Sequence, residues 1–476
     1  MSRKKVLDFY ELTMAQVDLL NGFEDQWQCF DVFFRKNPDE GGYAISGGLD
    51  EIIEYIQNFH FSEKEIQYLK SIRPSLDSKL IDYLKDIKFT GEIYAIPDGT
   101  PIFPNEPIIT VWAPAIQAKL IETDILNRFN HGCLIATKAK RIVDAAQGRP
   151  VMEFGARRAQ GITAAIEGAK YTYMAGCVAT SCYGTGLKYN IPLLGTMAHS
   201  FIMQFGNEYQ AFLAYAKAFP ESTTLLVDTI DTLRSGVPNA IRVAKEYLQP
   251  NGYRLKGIRL DSGDLAYLSK KTREMLDEAG LENCKITVSN SLDERTIESL
   301  LLQGAPIDSF GVGENLITSK SSATFGGVYK LSAIMVNGEC IPKIKISDNE
   351  EKTTIPGFKK VYRFYDKDTG FALGDLVALA DEVIPLDNYV LVDHRNPSRW
   401  TKLSNFELRE LQVPIFKDGK LVYKQPSLKK RRDYCTREFE TIYPETKRFL
   451  NPHGHYVDLS KRLASLREQM IRKGSI

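Results

Sequence analysis

The chain has 476 residues, with 61 Lys+Arg against 60 Asp+Glu and 43% hydrophobic residues. That length implies two or three domains and a core large enough to need neither disulfides nor a metal for stability. The balanced charge excludes a strongly basic nucleic-acid binder or a protein held on an anionic membrane by overall charge.

The N-terminal stretch "MSRKKVLDFYELTMAQ" turns acidic and amphipathic after a basic start, with no apolar signal core, and no 18-residue apolar run follows. The seven Cys include no C-x-x-C pair, which reads as free thiols in a reducing compartment. A cytoplasmic protein is expected. "CFDVFFRK" predicts a strand, and "GGLDEIIEYIQNF" and "SEKEIQYLKSI" predict helices. "GEIYAIPDGTPIFPNEPIITVWAP" is Pro-rich and fits bends and strand edges. Helical spacing returns in "IQAKLIETDILNRFNHGCLIATKAKRIVDAA". Residues 1–130 are therefore expected to form an N-terminal α/β domain.

Residues 131–330 show another rhythm. Short apolar runs end in polar residues and are followed by amphipathic patterns, as in "VMEFGARR", "CVATSCYG", "IPLLGTMAHS", "TTLLVDT", "LKGIRLDSGD", "KITVSNSLD" and "IDSFGVGENL". Continuous apolar strands alternating with helices indicate a parallel sheet buried on both faces. About seven such units predict an irregular, TIM-like α/β barrel. Residues 331–400 are β-rich, with a hairpin signal at Asn337-Gly338, and are expected to rejoin the N-terminal domain. Residues 401–476 are charged and expected to be a mostly helical C-terminal extension.

In a parallel barrel the site lies at the C-terminal ends of the strands. Those ends supply Glu153, Phe154, Arg157 and Arg158; Thr180 and Ser181; His199 and Ser200; Asp228; Arg259, Asp261 and Asp264; Ser289 and Asn290; and Gly311, Gly313 and Glu314. Arginines, carboxylates, Gly-rich turns and one His suit a ligand bearing several phosphates. Each also has a plainer reading. Arg157-Arg158 can pair with surface carboxylates, "DSGD" can cap a helix, "FGVGE" can be a tight turn, and a His after an apolar run can be a core residue. Their joint placement at successive strand ends favours a site.

The motifs "DFYELTMAQ", "EFGARRAQG", "ATSCYGTG", "GTMAHSF", "IRLDSGDL" and "FGVGENLITS", in that order, resemble the nicotinate phosphoribosyltransferases, a family similar to the type II phosphoribosyltransferases. The resemblance implies a second domain built largely from the N-terminal segment. It implies that nicotinate and phosphoribosyl pyrophosphate give nicotinate mononucleotide and pyrophosphate in NAD salvage, coupled to ATP hydrolysis, with Mg2+ as cofactor. It further implies a homodimer with shared active sites and no nucleic-acid or membrane partner.

By the same resemblance, His199 is the histidine phosphorylated by ATP. Phe154 stacks on the pyridine ring, and Tyr10 from the other subunit covers its opposite face. Arg157 binds phosphate, and Arg259 binds phosphate or the nicotinate carboxylate. Asp261 sits by the ribose hydroxyls or a Mg2+ shell, with Asp264 in support. Ser289, Asn290, Gly311 and Gly313 meet the phosphates. Ser181 stands where nicotinamide-using relatives carry an Asp, so a neutral hydroxyl there favours the acid over the amide.

Three other readings compete: nicotinamide phosphoribosyltransferase, a barrel lyase or isomerase acting on sugar phosphates, and a non-catalytic homologue. The second needs a Lys or general base at a strand end, where no Lys falls; the third is expected to lose His199 or Asp261, and both are present. Of the remaining motifs, "PHGH" at His453 and His455 lacks further ligands at metal spacing, and "KKRR" at Lys429 to Arg432 reads as a solvated helix face.

Overall fold

The computed structural model describes residues 5–72, 75–349, 352–394, 396 and 398–474. The chain divides into two units, Ile135–Ala323 and, together, Met1–Leu134 with Thr324–Ile476.

In the unit Ile135–Ala323 the apolar runs form a six-stranded sheet. In chain order its strands are Val151–Glu153, Ala179–Thr180, Thr224–Leu226, Gly257–Leu260, Lys285–Ser289 and Ser309–Val312. Every pairing is parallel, and the first strand lies between the second and the last. This is the order of a barrel cut once, between the second and third strands. The expected α/β barrel is present as a curled, open sheet.

The cut explains one difference from expectation. The apolar run "IPLL" predicts a buried strand, yet it contributes only a single parallel bridge, Thr180 to Leu193. Pro192 has no N–H to give to a ladder, Asn190 turns the chain with φ 54°, and Leu193 and Leu194 are about half exposed, at 47% and 48%.

The helices of this unit start where short polar side chains can cap them. Asn207 accepts from the Gln210 N–H, Asp264 from Tyr267 and Asp293 from Thr296, opening helices Glu208–Ala218, Leu265–Glu278 and Glu294–Leu302. In the last two, Leu276 and Ile297 are fully buried.

The other unit is built from both ends of the chain. Its seven-stranded sheet runs Glu339–Pro342, Val328–Val336, Trp27–Phe33, Ile109–Pro114, Glu92–Ala95, Val413–Lys417, Lys420–Leu421. Strand Val328–Val336 pairs antiparallel with Trp27–Phe33, and Asn337-Gly338, both with positive φ, turn it into its hairpin partner. Helices Leu49–Gln57, Glu63–Ser71 and Ser78–Lys85 bury Ile52, Ile66 and Leu80 in the core. A four-stranded sheet holds Phe406–Glu410, Lys359–Asp366, Ala372–Leu379 and Val457–Leu459.

Helices Leu428–Glu440 and Lys461–Arg472 make the end of the chain helical, but residues 401–421 are β. The expectation of a mostly helical 401–476 is corrected there. The strands are short and their outward positions charged, so their alternation is hidden; Asn405, Asp418 and Gly419, all with positive φ, make the turns between them. "KKRR" is not wholly solvated either. Arg431 is buried and pairs with Asp50 at 3.1 Å and Asp98 at 3.2 Å. Among the described residues, no helix is long and apolar enough to cross a membrane.

Candidate functional site

The parallel register lines up the strand ends. Leu226 lies beside Arg259, Leu260 beside Val288, Ser289 beside Gly311, and Val312 beside Glu153. The residue after each end therefore faces the same edge of the sheet.

Arg259 is the hub. Its Nε donates to Ser289 Oγ at 2.8 Å, its Nη1 to Thr196 Oγ1 at 3.2 Å, and its Nη2 lies 3.1 Å from Asp261 Oδ1. Ser289 Oγ in turn donates to Asp261 Oδ1. The other Asp261 oxygen is 3.7 Å from His199 Nε2, and His199 Nδ1 meets Thr229 Oγ1 at 3.0 Å. The Asp261 backbone N–H and Ser262 Oγ both donate to Asp228 Oδ2. His199 begins the short helix His199–Met203 with its side chain 40% exposed. A Cβ on nearby Gly195 would meet nothing within 4 Å. An imidazole held on one side by a hydroxyl and faced by a carboxylate, with open space beside it, can act as a nucleophile or proton carrier.

Phe154 is held by packing. Its ring lies over Gly311, where an added Cβ would come within 2.5 Å of two ring carbons, and the Arg259 guanidinium is 5.7 Å from the ring centre. The turn that carries Phe154 is tied by Glu153. One Glu153 oxygen accepts from the Gly155 N–H and the other from Thr180 Oγ1, while the Ser181 N–H donates to the Glu153 carbonyl at 2.9 Å. Burial raises the Glu153 pKa, and the bonds from Thr180 and Gly155 oppose that shift. Glu153 thus joins the segments that present Phe154 and Ser181. Ser181 itself is exposed, and its hydroxyl makes no hydrogen bond among the described residues.

The structure therefore brings together Phe154, His199, Arg259, Asp261 and Ser289. It sets others apart. Asp264 caps its helix through Tyr267 N at 3.0 Å. Arg157 is exposed on the turn Ala156–Arg158, and Asn290 is exposed with φ 89°. Gly313 precedes helix Glu314–Ile317. Ser289 spends its hydroxyl on Arg259 and Asp261, and Gly311 makes room for the Phe154 ring. Tyr10 belongs to the other unit, on helix Phe9–Leu20, 45% exposed; burial and then Glu122 raise its pKa. Sequence reasoning passed over Thr229 and the tying role of Glu153. The first had a signal, since it follows Asp228 at a strand end; the second had none, because Thr180 and Ser181, which Glu153 ties to its own turn, come from a neighbouring strand.

A curled parallel sheet with a charged cluster along its strand ends defines a barrel enzyme for anionic substrates. Residues 6–130 match the nicotinate phosphoribosyltransferase N-terminal domain, residues 150–378 the nicotinate phosphoribosyltransferase family, and residues 358–467 the C-terminal domain. Nicotinate phosphoribosyltransferase of Bacillus subtilis is 42% identical over 98% of this chain and 94% of its own. That of Caenorhabditis elegans is 35% identical over 96% and 91%. The human nicotinic acid phosphoribosyltransferase structure superposes with a TM-score of 0.86 at 28% identity, covering 98% of this chain and 100% of that one. The chain belongs to the nicotinate phosphoribosyltransferase family.

Proposed function

We propose that this protein is a nicotinate phosphoribosyltransferase. It joins nicotinate to the ribose C1 of phosphoribosyl pyrophosphate, forming nicotinate mononucleotide and releasing pyrophosphate, in the cytoplasm and in the service of NAD biosynthesis. The observation that carries the reading is family membership along nearly the whole chain, with the Arg259–Asp261–Ser289–His199 network at the strand ends beside it.

The nicotinate ring nitrogen attacks C1 as the bond to pyrophosphate breaks through an oxocarbenium-like state. Such a reaction asks the protein for alignment and charge stabilisation. In this reading Phe154 carries the pyridine ring, Ser181 donates to its carboxylate, and the Arg259 fork binds that carboxylate or a phosphate. Asp261, steadied by Ser289, faces the ribose side. ATP gives its γ-phosphate to an imidazole nitrogen of His199, and water later takes that phosphate off, so each turnover consumes ATP and water and yields ADP and phosphate.

Mg2+ belongs to the same reading, and the residues fit it. Asp228 Oδ1 is buried with no hydrogen-bond partner, and Asp261 stands beside Asp228. One or two carboxylates plus substrate phosphates are what Mg2+ takes. Asp228 and Asp261 would hold it, whereas Asp264 is occupied as a cap. The ion would neutralise charge on the pyrophosphate. The exposed apolar side chains of the barrel unit, among them Ile162 at 81%, Leu187 at 73% and Ile230 at 71%, support a homodimer in which the partner's Tyr10 completes the site.

The test is nicotinate mononucleotide formation with and without ATP, using the parent and His199→Ala. The variant should lose ATP hydrolysis and incorporation of γ-labelled phosphate, and keep slow, ATP-independent transfer at high phosphoribosyl pyrophosphate. Labelled phosphate on His199→Ala would sink the phosphohistidine; no nucleotide product from the parent would sink the activity.

A further inference from the structure

Strand Lys285–Ser289 ends on Ser289, whose hydroxyl is bonded to Arg259 and Asp261. The chain then turns through Asn290, Ser291 and the buried Leu292 to Asp293, the cap of helix Glu294–Leu302. Asn290 and Ser291 are successive non-glycine residues with left-handed backbone, φ 89° and 52°. L-residues other than Gly visit that region singly, so two in a row persist only where the surroundings hold them. The hold comes from the neighbouring strand, Ser309–Val312. Asn315, on the short helix Glu314–Ile317 that follows it, donates through Nδ2 to the Ser291 carbonyl and to the Leu292 carbonyl, both at 3.1 Å.

A side-chain amide suits this task, because its two hydrogens can meet two carbonyls, whereas a hydroxyl has one and a carboxylate none. In a trans peptide the N–H points opposite to the carbonyl. Drawing the Ser291 and Leu292 carbonyls towards Asn315 therefore turns the N–H groups of Leu292 and Asp293 away from it. Neither N–H donates to any group among the described residues. The side chains of the turn are used locally: Asp293 accepts from the Thr296 N–H at 2.7 Å, and Ser291 Oγ donates to Asn290 Oδ1 at 3.1 Å. Its backbone donors are left unspent.

We propose that Asn315 is a positioning residue for phosphoribosyl pyrophosphate: by holding the Ser291 and Leu292 carbonyls, it keeps the turn after strand Lys285–Ser289 in the form that offers backbone N–H groups to a phosphate of that substrate. The inference rests on the activity proposed above. Unspent N–H groups in a turn built on left-handed residues make a concavity for an anion. The turn that carries Phe154 is held separately, through Glu153 to Gly155 and Thr180, so the hold of Asn315 acts on one substrate and not on the other. Asn315 lies within "FGVGENLITS", but residue type gives no reason for an amide there. The reason is the pair of carbonyls that the neighbouring strand's turn brings to it.

The experiment compares the full-length parent with Asn315→Ala and with Asn315→Leu, which fills similar space without a donor and keeps the test open if the alanine protein does not fold. Steady-state kinetics should show KM for phosphoribosyl pyrophosphate raised roughly tenfold, the scale set by losing a pair of hydrogen bonds. KM for nicotinate should stay within about twofold of the parent's. Calorimetric titration with phosphoribosyl pyrophosphate, without nicotinate or ATP, should show binding weakened by a similar factor. A purely structural role would lower Tm and the active fraction, hence kcat, and leave both KM values alone. That result, or equal rises in the two KM values, would overturn the proposal. A parent that makes no nicotinate mononucleotide would sink the activity, and the titration would still decide the role of Asn315. A parent that does not bind phosphoribosyl pyrophosphate, or variants that bind it as the parent does, would overturn that role.

Discussion

His199, Asp261 and Arg259 stand at the strand ends of the parallel sheet, and His455, Asp375 and Arg363 stand in the interior of the other unit. The residue types are the same, and so is the arrangement: an imidazole Nε2 faces one aspartate oxygen while a guanidinium holds the carboxylate. The distances differ. His199 is 3.7 Å from Asp261 and Arg259 is 3.1 Å from it, against 3.2 Å for His455 to Asp375 and 2.7 Å for Arg363 to Asp375. Exposure differs more. The side chains of the first set are 40%, 24% and 16% exposed, and those of the second 5%, 0% and 0%.

Arg363 grips both oxygens of Asp375 and also donates to the Pro101 carbonyl, and its guanidinium lies 5.1 Å from the centre of the Phe103 ring. Burial and the Asp375 charge raise the Glu106 pKa well above the carboxylate range. Against the penalty of burial, the Arg363 charge holds Asp375 far below its usual value, and burial lowers His455. Arg363 and Asp375 are bonded to each other, and His455 is enclosed between Asp375 and the Phe103 ring. In the barrel set, His199 has one ring nitrogen on Thr229 and the other beyond hydrogen-bond range of Asp261. The same three residue types make a structural knot where water is excluded and a reactive group where one face stays open.

The largest expected effect breaks the buried set. Asp375→Ala would leave the Arg363 guanidinium buried without its counter-charge, a change worth roughly 3–5 kcal/mol. Urea unfolding should show that loss, with Asp375→Asn as a milder variant if the alanine protein does not accumulate. Asp261→Ala, at a half-exposed position, should move stability by less than about 1 kcal/mol while removing most nucleotide synthesis. Equal destabilisation by the two would erase the distinction between knot and site.

A smaller effect sharpens the open set. Gly311→Ala would place a Cβ 2.5 Å from the Phe154 ring, which must tilt away from the strand. Overpacking of this kind is worth about 1–3 kcal/mol. If the ring carries the pyridine, kcat/KM for nicotinate should fall roughly 10- to 100-fold, since each ~1.4 kcal/mol is tenfold. ATP hydrolysis without nicotinate should change little. A parallel loss of both would mean that the substitution disturbs the sheet instead.

The alternation of apolar runs and capped helices made the parallel sheet legible, because each strand is buried on both faces and each cap has a local partner. Strand Gly257–Leu260 followed by Asp264 and helix Leu265–Glu278 is read almost letter by letter. "IPLL" misled because apolar content was read without the proline's missing donor and without the cut in the sheet. Residues 401–421 misled because short charged strands in a sheet assembled from distant segments show little periodicity of their own. At the site, Arg259 and Asp261 were legible as strand-end polar groups, and His199 through the motif around it. The commitments of Ser289, Asp264 and Gly311 were not, since each depends on one neighbour's position and not on residue type.

The smallest expected effect concerns Ser181, where the open set meets the question of acid against amide. Ser181 is exposed, its N–H is fixed to the Glu153 carbonyl, and its hydroxyl is uncommitted among the described residues. A neutral donor there suits a carboxylate, whereas an aspartate would accept from an amide NH2 and repel an acid. Two like charges ~4 Å apart repel by roughly 4 kcal/mol at an effective dielectric of about 20. Exposure screens that repulsion, so about 1.4 kcal/mol is the expected remainder. Ser181→Asp should therefore lower kcat/KM for nicotinate about tenfold. Any gain with nicotinamide should be smaller, because Arg259 still offers its charge to an anion. Thermal stability should stay near that of the parent, since the side chain is exposed. If folded Ser181→Asp uses nicotinate as well as the parent does, the carboxylate does not lie against residue 181, and discrimination rests on Arg259 and its neighbours alone.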